Sequence, residues 1–157
     1  MRTTLSIFWT FLLLAACITG AGSSEPDQEP QPMTLGEPMQ LAVGEAAHMD
    51  EPESMTIRFL DVPSDSRCPK GVTCVWAGDA EAVFQVWMGA VGEGEPVEVG
   101  LHTHGGAQYP SQRTVAGYTL RLKSLDPYPV EGRPIDPEAY EATVEMTEGA
   151  AGEAPDA

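Results

Sequence analysis

Residues 80–88 read AEAVFQVWM, an apolar run in the middle of the chain. Every second residue from Ala82 to Met88 is apolar, and Val83 and Trp87 add apolar side chains at the positions between them. Because successive side chains of a strand point to opposite faces, both faces of this segment are apolar. The segment therefore predicts a central β-strand that is covered on both sides.

The segments on either side of this run alternate apolar and polar residues with a period of two. They cover residues 39–43, 55–59, 97–101, 118–122 and 140–146. A strand with this alternation packs one face on a core and leaves the other in solvent. No stretch shows a sustained helical spacing of apolar residues.

Residues that favour turns separate these strands, at 62–65, 92–96 and 126–137. About six or seven short strands with this spacing are typical of a β-sandwich. We therefore expect an all-β fold with a single small β-sandwich, and a small β-barrel is the alternative.

The composition divides the chain into a domain with two polar flanks. Residues 17–32 are rich in Gly, Ser, Pro and acidic residues, which predicts a disordered linker. Residues 148–157 have the same character and predict a disordered acidic tail. The sandwich domain is expected at 33–147, the size of one ordinary domain.

The first sixteen residues have the features of an export signal. Arg2 precedes an apolar run from Leu5 to Ala16 that is too short to span a bilayer as a helix. The run ends in Leu14-Ala15-Ala16-Cys17, which resembles the lipobox of bacterial lipoproteins. The resemblance implies that 1–16 is a lipoprotein signal peptide and that the Cys17 thiol is acylated.

The same resemblance implies a location. The protein is expected to be attached to a membrane of the cell envelope through its lipid anchor. Ile18 stands where an aspartate would resemble the inner-membrane retention signal of Gram-negative lipoproteins. In a Gram-negative cell we therefore expect the outer membrane, with the domain facing the periplasm.

The charge of the chain restricts its partners. There are 24 acidic and 8 basic residues, a formal net charge of -16 at pH 7. Nucleic acid, which is anionic, is repelled by such a chain and is not an expected partner. A protein partner in the cell envelope is compatible with this charge.

Two further cysteines, Cys68 and Cys74, remain once Cys17 carries lipid. In an oxidising compartment an even pair favours a structural disulfide, here closing a short loop that contains Pro69 and Gly71. A redox couple usually has two residues between its thiols, and a zinc site needs more ligands than this pair. Both remain open as alternatives to the disulfide.

The stretch DSRCP at 65–69, followed by CVWAG at 74–78, resembles a motif of small uncharacterised envelope lipoproteins. This resemblance supports an exported β domain and implies no activity. We expect Trp76 to pack beneath the stapled loop as a hydrophobic lid. Arg67 or Lys70, presented on that loop, could enter a protease cleft, so a protease inhibitor is one alternative function.

Histidine offers the other candidate chemistry. His102 and His104 are two residues apart in LHTHGG and, on a continuing strand, would share a face with Glu98. Imidazoles and a carboxylate are suitable ligands for zinc, copper or nickel. Periplasmic divalent-metal binding is therefore an alternative function, although a solvated strand end is the interpretation we favour.

No spacing of serine, histidine and carboxylate residues indicates a catalytic site, and no glycine-rich phosphate loop is present in the sequence. We expect no enzyme activity and no cofactor. The sequence favours an envelope lipoprotein whose β-sandwich is a non-catalytic binding or structural module.

Overall fold

A computed structural model describes residues 29–149. This part of the chain has nine β-strands, one short 3-10 turn at Pro137–Ala139 and no α-helix. The strands are β1 (Gln31–Pro32), β2 (Pro38–Ala42), β3 (Ala46–Met49), β4 (Met55–Asp65), β5 (Ala80–Met88), β6 (Val97–His102), β7 (Gln112–Val115), β8 (Tyr118–Asp126) and β9 (Glu141–Glu148). No helix within residues 29–149 has the length and apolar composition that crossing a membrane requires.

The strands form two sheets. The five-stranded sheet has the order β1-β3-β4-β5-β6, and the four-stranded sheet has the order β2-β9-β8-β7. Neighbouring strands are antiparallel except β1, which pairs with β3 in parallel. The prediction of an all-β sandwich is confirmed, because the strands form two separate sheets with free edges and do not close into a barrel.

The core lies between the sheets and contains the apolar residues of the alternating segments. Phe59 and Phe84 stack with ring centroids 5.1 Å apart near its centre. Leu41, Leu120 and Val144 cover them from the four-stranded sheet, and all are buried. The period of two in the sequence therefore identified the faces of the strands correctly.

β5 is an interior strand of its sheet, between β4 and β6. Its second apolar face lies on the outside of the sandwich, where Val83 and Trp87 are only 9% and 5% exposed. The guanidinium of Arg58 lies 5.8 Å from the centroid of the Trp87 ring. Both faces of AEAVFQVWM are thus covered, although Met88 at its end is 47% exposed.

The structure corrects one predicted turn. Residues 62–65 continue β4, with register irregularities between Phe59 and Asp61 and between Asp61 and Ser64. The turn between β2 and β3 forms backbone hydrogen bonds with β4 as far as Phe59. β3 does not pair with β4 beyond this point, so the missing N–H of Pro63 removes no hydrogen bond to β3. The register irregularities with β5 accommodate the proline within the strand. The β4–β5 hairpin consequently extends beyond β3, which pairs with β4 only as far as Arg58, while β6 accompanies β5 as far as Glu81.

The boundaries of the sheets differ slightly from those expected for the domain. Gln31 and Pro32, assigned to the linker from composition, pair with Ala47 and His48 of β3. β9 ends at Glu148. The predicted signal peptide, Cys17, the linker as far as residue 28 and the tail from residue 150 lie outside the described residues.

Candidate functional site beside the hairpin tip

The far end of the β4–β5 hairpin is formed by residues 66–79, here called the hairpin tip. The Ser66 N–H donates to the Asp79 carbonyl at 2.7 Å, and the Cys68 N–H donates to the Ala77 carbonyl at 2.7 Å. A disulfide between Cys68 and Cys74, with Cα atoms 6.0 Å apart, closes the loop beyond these bonds. The predicted disulfide is therefore present, and it stabilises a tip that is already paired by its backbone.

Gly78 permits the two sides of the tip to approach each other. Its φ angle is +71°, and a Cβ atom at this position would lie 1.9 Å from the Ser66 carbonyl oxygen. Only glycine combines this backbone conformation with so close a neighbour.

Arg67 connects the tip to the opposite sheet. Its side chain is 6% exposed, and its guanidinium donates to the two carboxylate oxygens of Asp65 at 2.9 and 2.6 Å. It also donates to the backbone carbonyls of Leu125 and Pro127, which belong to β8 and the residues after it. The expectation that Arg67 is presented to a protease is wrong, because these bonds bury the side chain within the protein.

Asp65 remains ionised within this network. Burial would raise the pKa of Asp65, but the hydrogen bonds and positive charge of Arg67 outweigh it. The Tyr140 hydroxyl also donates to Asp65, at 3.0 Å, and adds to this effect. The pKa of Asp65 is therefore below its usual range, as expected for a carboxylate in a buried ion pair.

Lys70 and Trp76 lie on the outside of the tip. The Lys70 side chain is exposed, and its Nζ lies 5.4 Å from the centroid of the Tyr128 ring. Trp76 is 81% exposed and its neighbour Val75 is 89% exposed. The prediction that Trp76 packs beneath the loop is wrong, because the Arg67 side chain and its partners occupy the buried space at the base of the tip.

An open groove of about 680 Å³ lies between the tip and the loop at residues 104–109. Ser64, Glu81 and His102 form part of its floor and are neighbours across β4, β5 and β6. Trp76 lines one end of the groove, and Tyr109 lies in the opposite loop. The exposed tryptophan therefore borders a concave surface and does not project into open solvent alone.

His102 is positioned by a carboxylate that precedes β5. Its Nδ1 lies 2.6 Å from Oδ2 of Asp79, and its ring meets that of Tyr109 edge-on with centroids 5.0 Å apart. Its Nε2 lies 4.0 Å from Oε1 of Glu81. With Nδ1 donating to Asp79, the neutral ring presents Nε2 as a hydrogen-bond acceptor, a tautomer assigned from this partner.

The Asp79 carboxylate accepts hydrogen bonds from several groups around it. Its Oδ1 accepts from the Thr103 hydroxyl and from the His104 backbone N–H, both at 2.9 Å. Burial would raise the pKa of Asp79, but these bonds and the one to His102 outweigh it and hold the pKa below its usual range. Asp79 therefore orients the imidazole and the adjoining turn.

The structure does not assemble the predicted metal ligands. Glu98 pairs with Gln85 and lies four residues before His102 on β6, about 13 Å along the strand. His104 lies in the turn after β6, where its side chain is exposed. Within residues 29–149 no group of three His, Cys, Asp or Glu side chains could hold a metal ion. The carboxylates near His102 are Asp79 and Glu81.

Catalytic use of His102 would require a nucleophile or a substrate position at Nε2. Among the residues that the structure describes, no serine, threonine or cysteine side chain hydrogen bonds with this nitrogen. Ser66 Oγ instead donates to the Asp79 carbonyl at 2.9 Å. The arrangement therefore differs from a Ser-His-Asp triad, in which the base contacts the nucleophile.

No family model, curated protein or solved structure matches this chain. Its function is therefore inferred from the geometry of the groove.

Sequence reasoning identified His102 and Trp76 and missed Asp79, Glu81 and Tyr109. Asp79 and Glu81 stand at the start of the central strand, and His102 ends the strand that pairs with it. In an antiparallel pair the start of one strand meets the end of the next, so these three positions carried a detectable signal. Tyr109, in a loop after two glycines, carried none.

Proposed function

We propose that this protein is a lipid-anchored protein of the cell envelope whose β-sandwich binds a protein partner at the groove and the hairpin tip, without catalysis of its own. The Leu14-Ala15-Ala16-Cys17 segment supports the anchor through its resemblance to a lipobox. The net charge of -16 favours partners that are not anionic.

The observation that carries the proposal is the exposure of Trp76, two residues after a covalently closed loop and beside a groove. Burial of a tryptophan in an interface contributes on the order of 4 kcal/mol. Tryptophan is also enriched among residues that dominate binding energy. Because the disulfide and the Arg67 contacts already order the tip, little conformational entropy is lost when a partner covers it.

Site-specific photo-crosslinking in the native envelope tests this proposal. A photoreactive amino acid replaces Gln108, in the loop that lines the groove, or Glu98, an exposed residue of β6 that does not line it. We expect a discrete adduct with a protein from position 108 and none from position 98. Trp76→Ala should remove the adduct because it deletes the main apolar contact of the tip.

The matched control is Met88→Ala, which truncates an apolar side chain that is 47% exposed at the other end of β5. This variant should retain the adduct. Equal adducts from both labelled positions, or an adduct unaffected by Trp76→Ala, would contradict a partner at the groove.

A further inference from the structure

We infer that the group that enters the groove is the cationic side chain, Arg or Lys, of a basic peptide segment of the partner. This inference rests on the proposed function and adds the chemical class of the ligand. It follows from the position of Glu81, from the acceptors around it and from the absence of lysine and arginine side chains among the described residues that line the groove.

Glu81 is the carboxylate that is available in the groove. Its side chain is 35% exposed, and among the described residues it forms no ion pair with a lysine or arginine. The nearest titratable group is His102, 4.0 Å away. Asp79, by contrast, already accepts three hydrogen bonds. A cation that enters the groove would therefore meet one carboxylate without a basic partner.

Gly100 leaves room for the Glu81 carboxylate on the surface of the sheet. A Cβ atom on Gly100 would lie 2.7 Å from Oε1 of Glu81, so the carboxylate lies directly over this glycine. Gly100 pairs with Val83 on β5, and no positive φ requires a glycine there. An alanine at this position would require the Glu81 carboxylate to move from where it now lies.

His102 adds a second acceptor at a suitable distance. In the tautomer whose Nδ1–H donates to Asp79, Nε2 is an acceptor 4.0 Å from Oε1 of Glu81, and His102 lines the groove. An ammonium or guanidinium group has several N–H donors and can bond to two acceptors 4.0 Å apart at once. An anionic ligand would meet Glu81 and no compensating positive side chain.

The aromatic residues of the groove also favour a cation. Trp76 and Tyr109 line it from two sides, and both rings are more than half exposed. A guanidinium or ammonium over such a ring gains about 0.5–1 kcal/mol at an exposed site. The groove is continuous with the exposed Val75 and Trp76, so the chain that carries the cation can lie on the tip. These features favour a peptide over a free amine.

The test compares two peptides on the purified full chain in detergent by NMR. One is acetylated, amidated Gly-Ser-Gly-Arg-Gly-Ser-Gly, and the other has citrulline, the uncharged isostere, in place of arginine. We expect the arginine peptide to shift the Trp76 indole and His102 ring signals and to bind at least tenfold more tightly than the citrulline peptide.

Glu81→Gln should abolish this tenfold preference, because it removes the charge and keeps the shape of the side chain. Glu98→Gln is the matched control, since it changes the net charge equally on the same sheet outside the groove, and it should retain the preference. The comparison of the two peptides on the parent chain remains decisive even if Glu81→Gln fails to fold.

Equal affinities for the two peptides, or binding of neither, would overturn the inference. So would shifts of the same signals by a chito-oligosaccharide alone, which would identify a glycan site. If Glu81→Gln retains the photo-adduct that Trp76→Ala removes, the inference that a cationic side chain binds Glu81 is wrong, while the proposed partner site at the groove stands.

Discussion

Arg67 is a basic residue whose position could not be inferred from its neighbours in the sequence. Asp65 and Arg67 are two residues apart on an extended segment and form a buried ion pair, and Tyr140 completes it from 75 residues away. The carbonyls of Leu125 and Pro127 accept two further hydrogen bonds from the guanidinium. Arg67 is therefore buried because Asp65 on its own hairpin and two carbonyls at the opposite sheet supply its acceptors.

We predict that Arg67→Met lowers the free energy of unfolding by about 3 kcal/mol, since it leaves the Asp65 carboxylate buried without its partner. Arg121→Met is the control: Arg121 is exposed on β8, and its removal should change stability by less than about 0.5 kcal/mol. Urea unfolding at pH 7 measures both. Similar effects of the two substitutions would contradict a structural role for the ion pair.

The effect of Arg67→Met should depend on pH. The pKa of Asp65 is lowered in the folded protein, so its ionisation stabilises the fold above the ordinary carboxyl value of 3.8. This contribution is lost as pH falls through the folded pKa. The difference in stability between the parent and Arg67→Met should therefore be full above about pH 5 and smaller below about pH 3.5.

At the scale of elements, the extended β4–β5 hairpin is the feature that creates the site. Its tip is held by backbone hydrogen bonds and by a disulfide, and it contains Gly78, which lies close to the Ser66 carbonyl. The disulfide closes a loop of about seven residues, worth about 2 kcal/mol on the chain-entropy model. The core ends near Ala80, so the tip depends on these local devices and on Arg67 for its order.

We predict that Gly78→Ala destabilises the protein by about 3 kcal/mol, because a Cβ 1.9 Å from the Ser66 carbonyl forces the backbone apart. Gly92→Ala is matched in conformation, with φ at +84°, but has no atom within 4 Å of the added Cβ. It should cost only about 1 kcal/mol of backbone strain. Thermal and urea unfolding compare the two.

Equal destabilisation by Gly78→Ala and Gly92→Ala would show that the close approach at Ser66 has no energetic importance. If Gly78→Ala is the more destabilising of the two, a change in the NMR chemical shifts of Trp76 and His102 in that variant would show that the backbone of the tip positions the groove.

For the whole molecule, the proposed membrane anchor would set the location in which the groove operates. The segment between Cys17 and β1 is short, and a flexible coil of that length would span roughly 20 Å. A partner at the groove would therefore belong to the same envelope layer, either in the membrane or close to it.

We predict that Cys17→Ser abolishes incorporation of labelled fatty acid and moves the protein out of the membrane fraction, because acylation requires the thiol. Ser24→Ala, a change of similar size within the proposed linker, should leave both properties intact. A Cys17→Ser protein that labels and fractionates like its parent would exclude the lipid anchor.

The fold class and the disulfide were predictable because their signals are local. A period of two assigns each residue of a strand to a face, and Phe59, Phe84 and Leu120 are buried as that period requires. Turn residues were less reliable, since Pro63 lies inside β4 where a local interpretation placed a turn. Whether a proline breaks a strand depends on whether another strand needs its N–H.

The sequence by itself determined the all-β class and the core faces, and it favoured over their alternatives the two-sheet architecture and the Cys68–Cys74 disulfide that the structure has. Only the tertiary structure decided the site, because Ser64, Glu81 and His102 come from three strands and meet through their register. It also reversed the predicted positions of Arg67 and Trp76, placing the charge inside and the indole outside. The physical reason is that burial follows the availability of partners: Asp65 on β4 offers Arg67 a carboxylate and the opposite sheet and the residue after β8 offer two carbonyls, whereas the tip extends beyond the apolar core and leaves Trp76 exposed.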